Sequence, residues 1–306
     1  MPQKLVLLDH DGAIDDFLSL MLLLTMAEVE LLGVVVTPAD CYIDAATSVT
    51  QKILRLMNRT AIAIAKSTVR GINPFPADFR RDCLIVDNLP ILNESEDNLP
   101  TVSTKSGQQF MVETLQNAPQ PVTLMITGPL TTVAEAIALQ PHITDKIAEI
   151  VWMGGALEVP GNVQQAFAHE HDGTAEWNVF WDYLAAKQIW STEIDITLCP
   201  LDLTNNVPVT SDFIHRLAKQ RQYPLSDLAG LCYALAMTQD YYFWDILATA
   251  YLAFPEYQVE ERETDIITTG ISQGRTILKP GGRKIKVMTK VDKEKFYSYL
   301  LQQFAR

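Results

Sequence analysis

The stretch LVLLDHDGAIDDF, residues 5–17, is an apolar run that breaks into four aspartates within eight residues. Its first half predicts a strand over Lys4–Leu8, and the apolar spacing beyond it predicts a helix over Phe17–Met26. Asp9 and Asp11, two apart at the carboxyl end of the strand, point to one face. Asp15 and Asp16 open the helix, where a carboxylate complements the N-terminal end of the helix dipole. That role accounts for one or two acids. Four so close together repel one another unless something positive lies among them. A hard dication with oxygen ligands, calcium or magnesium, is the natural compensator.

Outward from this segment, β-branched runs alternate with amphipathic ones. Strands are expected at Leu31–Thr37, Ala61–Lys66, Val122–Thr127, Ile147–Met153 and Asp195–Leu201. Helices are expected at Asp44–Met57, Leu130–Leu139 and Asp182–Ser191. This order implies an α/β fold, a mostly parallel central sheet flanked by helices. In such sheets, ligands bind beyond the carboxyl ends of the strands, where the aspartates lie. Residues from Ser211 to Phe254 read as mainly helical, and Tyr257–Arg306 as short strands around Pro280-Gly281-Gly282 with a closing helix. Gly71–Asn98, rich in Pro, Asp and Asn, reads as a long loop region, which in a compact domain is usually functional. No repeat or linker interrupts the 306 residues, so one domain over 1–306 is expected.

The formal net charge of −13 argues against a nucleic-acid partner, whose phosphates call for a surplus of Lys and Arg. An uncharged small molecule remains compatible with it. Cys41, Cys83, Cys199 and Cys232 are widely spaced and form no C-x-x-C pair, which suits reduced thiols better than a zinc site or disulfide framework. The opening residues have no signal-peptide pattern, and the apolar run at Leu18–Met26 is too short to span a bilayer. A cytoplasmic location with no membrane partner is the expectation.

Two families carry such an aspartate cluster. Asp9-His10-Asp11-Gly12-Ala13-Ile14-Asp15 is close to the opening motif of the haloacid-dehalogenase phosphatases, which would make Asp9 a nucleophile and magnesium the metal. Those enzymes also need acids after a later strand, where this chain has Gly154-Gly155. The doublet Asp15-Asp16 instead resembles the signature of the nucleoside hydrolases. Further blocks add to that resemblance: Thr127-Gly128-Pro129-Leu130-Thr131, MGGALEVPGN (153–162), GTAEWNVFWD (173–182) and YYFWDILA (241–248). The resemblance is nearest to the purine-specific branch, preferring inosine, adenosine and guanosine, with NPFP (73–76), LPILN (89–93) and TNNVPV (204–209) among its strings. Pyrimidine-tolerant branches usually carry His where Trp244 stands.

This resemblance implies hydrolysis of the N-glycosidic bond of purine ribonucleosides, a role in purine salvage, and a dimeric or tetrameric assembly. It also implies bound Ca²⁺, with Asp11, Asp16, the Thr127 carbonyl and Asp245 as metal ligands. Asp11 would be the catalytic base, and Asp9 would support the ligands from behind. Asp15, Asn162, Glu176 and Asn178 would hold the ribose, whose hydroxyls need groups able both to donate and to accept. Phe79 and Trp244 would sandwich the base, and Asp40 would meet its edge. The branch has Trp where Phe79 stands and often Asn where Ala13 stands. His169 and His171 are expected to be solvated loop residues. No side-chain general acid has a matching family precedent, which leaves stacking-raised basicity, Asp40 or solvent to protonate the leaving base.

Overall fold

The computed structural model describes residues 3–95, 97–164, 166, 168–237 and 240–306. Strand β1 (Lys4–His10) leads into α1 (Ile14–Thr25), β2 (Val29–Val36), α2 (Ile43–Leu56) and β3 (Ile64–Lys66). Next come α3 (Ala77–Arg80), α4 (Asp82–Asp87), α5 (Gly107–Asn117), β4 (Val122–Ile126), α6 (Thr131–Leu139) and β5 (Ile147–Met153). The chain continues through α7 (Trp177–Trp181), α8 (Tyr183–Trp190), β6 (Ile196–Cys199) and α9 (Leu201–Thr204). Helices α10 (Ser211–Ala218), α11 (Pro224–Ala236) and α12 (Asp245–Ala250) follow. It closes with β7 (Tyr257–Ile266), β8 (Thr276–Leu278), β9 (Arg283–Val291) and α13 (Lys293–Phe304).

The strands form one sheet in the order β3-β2-β1-β4-β5-β6-β9-β7-β8. Pairing is parallel from β3 to β9, and β7 runs antiparallel to both β9 and β8. The fold is thus the expected single-domain, mostly parallel α/β sheet. Its burial follows from strand chemistry. β4 is buried throughout, as a strand covered on both faces must be, whereas β7 is largely half-buried or exposed along its length. Alternate residues of β1 enter two different cores. Val6 and Leu8 pack with α1, α11, α12 and α13, while Leu5 and Leu7 pack with α5, α6 and α8.

Strand order reverses between β1 and β4, so the crevice at their carboxyl ends is the topological switch point. A third, smaller cluster of Phe75, Trp177, Phe180 and Trp181 lies under the loops.

Three expectations need correction. Gly71–Asn98 is not a plain loop, since α3, α4 and a 3-10 turn at Pro90–Leu92 cross it. Helix α5 was not anticipated, although Ser106-x-x-Gln109 is a capping box and Gly107, Gln108, Met111 and Leu115 give it a buried helical stripe. Finally, β7 and β9 are long rather than short strands.

Candidate active site

At the switch point, β1 ends and the chain turns through Gly12, whose φ of +85° suits a residue without a Cβ. A Cβ at Gly12 would also stand 2.6 Å from that of Cys41. This tight turn swings Asp15 and Asp16 back over the strand end beside Asp11. The Ala13 N–H donates to Asp16 Oδ2 at 2.7 Å, and the Thr127 hydroxyl, just past β4, donates to Asp16 Oδ1. Asp15 is held from the far end of the sequence. Tyr241 Oη donates to its Oδ1 at 2.9 Å and the Asp245 N–H to its Oδ2 at 3.1 Å.

These elements enclose a cavity of about 290 Å³. Asp11, Asp15, Asp40, Phe79, Thr127, Asn162, Glu176, Asn178, Trp244 and Asp245 all line it. Asp16 and Asp9, both buried, are not part of its lining. Asp9 Oδ1 accepts from Thr37 at 2.6 Å, and its other oxygen has no hydrogen-bond partner among the described residues. The Thr37 hydroxyl in turn meets Thr132, and Thr132 meets Ser67, tying the ends of β1, β2, β3 and β4 together.

The electrostatics follow from crowding. Burial, then the charges of Asp16 and Asp40, hold Asp11 well above the usual carboxylate range. Asp245 is raised likewise by burial and by Asp15, Asp16 and Asp11. Asp16 is pushed up to about 6 by burial and Asp15, with its hydrogen bonds to Asp11, Thr127 and Ala13 opposing. Asp9 reaches about 8, chiefly through burial. Among the described residues no three His, Cys, Asp or Glu side chains converge as a ready metal cage. Without a cation each acid raises its neighbours, Asp16 acting on Asp11 and Asp15 on Asp245. The donor set nonetheless fits a hard dication: all oxygens, crowded, and mutually repelling once ionised.

The ribose residues expected from the sequence come together, though partly engaged with the protein itself. Glu176 caps α7, accepting from Asn178 and Gly155 N–H groups at 2.9 and 3.0 Å, and burial lifts it to about 7. Asn178 Nδ2 donates to the Thr127 carbonyl at 2.9 Å, and Asn162 Oδ1 accepts the Trp177 N–H at 3.0 Å. The Thr127 carbonyl expected to face a metal is therefore already hydrogen-bonded once.

The aromatic walls are richer than expected. Phe75 stacks on Trp177 with centroids 5.1 Å apart, and Phe79 meets Trp177 edge-on at 6.2 Å. Opposite, Tyr241 and Tyr242 flank Trp244. The segment 241–243 is not helical, as the sequence had suggested. Tyr242 bridges Pro208, so Tyr241 and Phe243 are buried and Tyr242 is half-buried, while Trp244, also half-buried, already has the helical backbone of the N-cap of α12. Phe75, Asp82, Trp177, Tyr241 and Tyr242 were not anticipated as lining. His171 also departs from expectation: it is buried, with Nε2 2.9 Å from the Gln273 carbonyl, whereas His169 is exposed.

Residues 6–298 match the family model described as inosine-uridine preferring nucleoside hydrolase. The chain belongs to that family. The structure of a nucleoside hydrolase from Bacillus anthracis, described as inosine-uridine preferring, is 41% identical, with a TM-score of 0.94 over 99% of both chains. A probable uridine nucleosidase 2 of Arabidopsis thaliana is 30% identical over 297 residues, covering 90% of this chain and 86% of its own. The pyrimidine-specific ribonucleoside hydrolase RihA of Klebsiella pneumoniae is 28% identical, covering 98% of both.

This nucleoside hydrolase is therefore an enzyme acting on N-glycosyl bonds, as the aspartate doublet implied. The phosphatase alternative finds no support. The names of the relatives do not single out the purine-specific branch, since they include uridine and pyrimidine enzymes. No described helix is long and apolar enough to cross a membrane.

Proposed function

We propose that this nucleoside hydrolase cleaves purine ribonucleosides, inosine foremost, to base and ribose with the help of bound calcium. The observation that carries the base preference is the aromatic lining, Phe75, Phe79, Trp177, Tyr242 and Trp244 around one cavity. A bicyclic base gains more from stacking than a single ring does. The names of the relatives favour a second reading, in which uridine is accepted as well.

Asp11, Asp16, the Thr127 carbonyl and Asp245 would hold the dication, which when bound makes a water easier to deprotonate. Asp11 takes the proton of the attacking water as general base. Asp15, Asn162, Glu176 and Asn178 orient the ribose and stabilise positive charge growing at its anomeric carbon. Asn178, with its Nδ2 already donating, offers Oδ1 to a hydroxyl. Asp9 stiffens the strand end beneath Asp11, and Asp40 meets the edge of the base. A dimer or tetramer in the cytoplasm, serving purine salvage, completes the reading.

Ribose release from inosine, guanosine, adenosine, uridine and cytidine, with calcium and with chelator, tests it. Purine nucleosides are expected to lead by about tenfold in kcat/KM, with activity lost on chelation, and Phe79→Trp to widen the lead a few-fold. Uridine equal to or better than inosine would overturn the purine preference while leaving the enzyme class intact.

A further inference from the structure

The charge of the cavity bears on which leaving groups it favours, granted that the chain is a nucleoside hydrolase. Seven carboxylates line the cavity, and none of its described lining residues is Lys, Arg, His or Cys. Were all seven ionised, a bound dication would offset two of their charges, and burial with mutual repulsion raises Asp11, Asp40 and Asp245 until further positive charge arrives. Asp40, Asp82 and Asp240 lie outside the proposed metal and ribose set. Burial and the charges of Asp16 and Asp82 raise Asp40, so a cation beside it favours its ionised form, and Asp40 Oδ1 is buried with no hydrogen-bond partner among the described residues. Of the two cations that act on these acids, Arg80, near Asp40, donates Nε and an Nη to the Cys41 carbonyl and lies over the Tyr42 ring, and Arg81, near Asp82, pairs with Asp78 at 3.2 Å. Phe75, Phe79, Trp177, Tyr242 and Trp244 line the same cavity, and an aromatic face attracts a cation.

We propose that the cavity prefers ribonucleosides whose base carries a fixed positive charge, such as an N7-alkylated purine or an N-ribosylpyridinium. The chemistry balances without a proton donor on the leaving side. The C1′–N bond breaks, its electron pair passes to the ring nitrogen, and the base leaves neutral. The water oxygen bonds to C1′ and its proton goes to Asp11. A neutral purine, by contrast, has to be protonated as it leaves, and with no His or Lys among the described lining residues that proton has to come from a carboxyl such as Asp40 or from solvent.

The test compares KM for 7-methylguanosine against guanosine, and for N-ribosylnicotinamide against uridine, in the calcium-loaded enzyme and in Asp82→Asn. KM is the readout because a cationic base is intrinsically a better leaving group and raises kcat in any such site. The expected result is a KM about tenfold lower for each cation, with the gap narrowed several-fold in the variant. If Asp82→Asn does not fold, the wild-type ratio alone decides. Neutral nucleosides turned over with equal or lower KM would overturn the inference and leave the hydrolase reading standing. A gap untouched by Asp82→Asn would also overturn it. Turnover of neither class would defeat the underlying reading of the site instead.

Discussion

Gly128→Ala isolates the placement of Asp11 from its chemistry. Gly128 follows Thr127 in the turn after β4, fixed there by the Trp152 indole donating to its carbonyl at 2.9 Å. A Cβ at this residue would stand 2.8 Å from Asp11 Cβ and 3.0 Å from its Cγ. Carbon pairs settle near 3.5–4.0 Å, so Asp11 has to retreat by roughly 0.5–1 Å. Misplacement on that scale costs about 10²-fold in rate. The expected kcat/KM for inosine thus falls about 30- to 100-fold, or about 2–3 kcal/mol of transition-state stabilisation. Overpacking also costs about 1–3 kcal/mol of stability, so the protein stays folded with a melting temperature a few degrees lower. Ribose release and thermal melting measure the two effects. Gly230→Ala in α11 serves as control, because its added Cβ meets only Leu217 Cβ, at 3.7 Å, and should leave activity alone. Folded Gly128→Ala with kcat/KM within threefold of wild type would refute the reasoning that Asp11 must sit where it does.

The metal-free protein should lose stability as pH rises. Folded Asp16, Glu176 and Asp9 titrate near 6, 7 and 8, above their unfolded values near 4, so the folded state holds extra protons between those limits. That stability is complete below about pH 4 and drains away through pH 6–8. Melting in chelator from pH 5 to 8 checks this, with calcium expected to restore more at pH 8 than at pH 5; a flat profile would contradict it. Tyr241→Phe removes the hydroxyl that donates to Asp15 Oδ1 and should lower kcat/KM for inosine about tenfold by leaving a buried carboxylate oxygen unpaired. An unchanged value would take Asp15 out of ribose binding.

What the sequence by itself determined is whatever is local. The alternation of apolar strands and amphipathic helices specified a parallel α/β sheet, because strand and helix periods differ within a few residues. Asp11, Asp15 and Asp16 were legible as a unit because they fall within six consecutive residues. The blocks around Thr127, Glu176 and Asp245 were legible only through family resemblance, since nothing local links residues more than a hundred positions apart. The tertiary structure alone decided which atoms are free. It engaged Asn178 with the Thr127 carbonyl and Glu176 with the N-terminus of α7, and it paired Tyr242 with Pro208 ahead of α12. It also brought Phe75, Trp177 and Asp82 to the cavity. These are outcomes of packing: buried polar groups take the nearest partner the fold supplies, and no spacing along the chain encodes that choice.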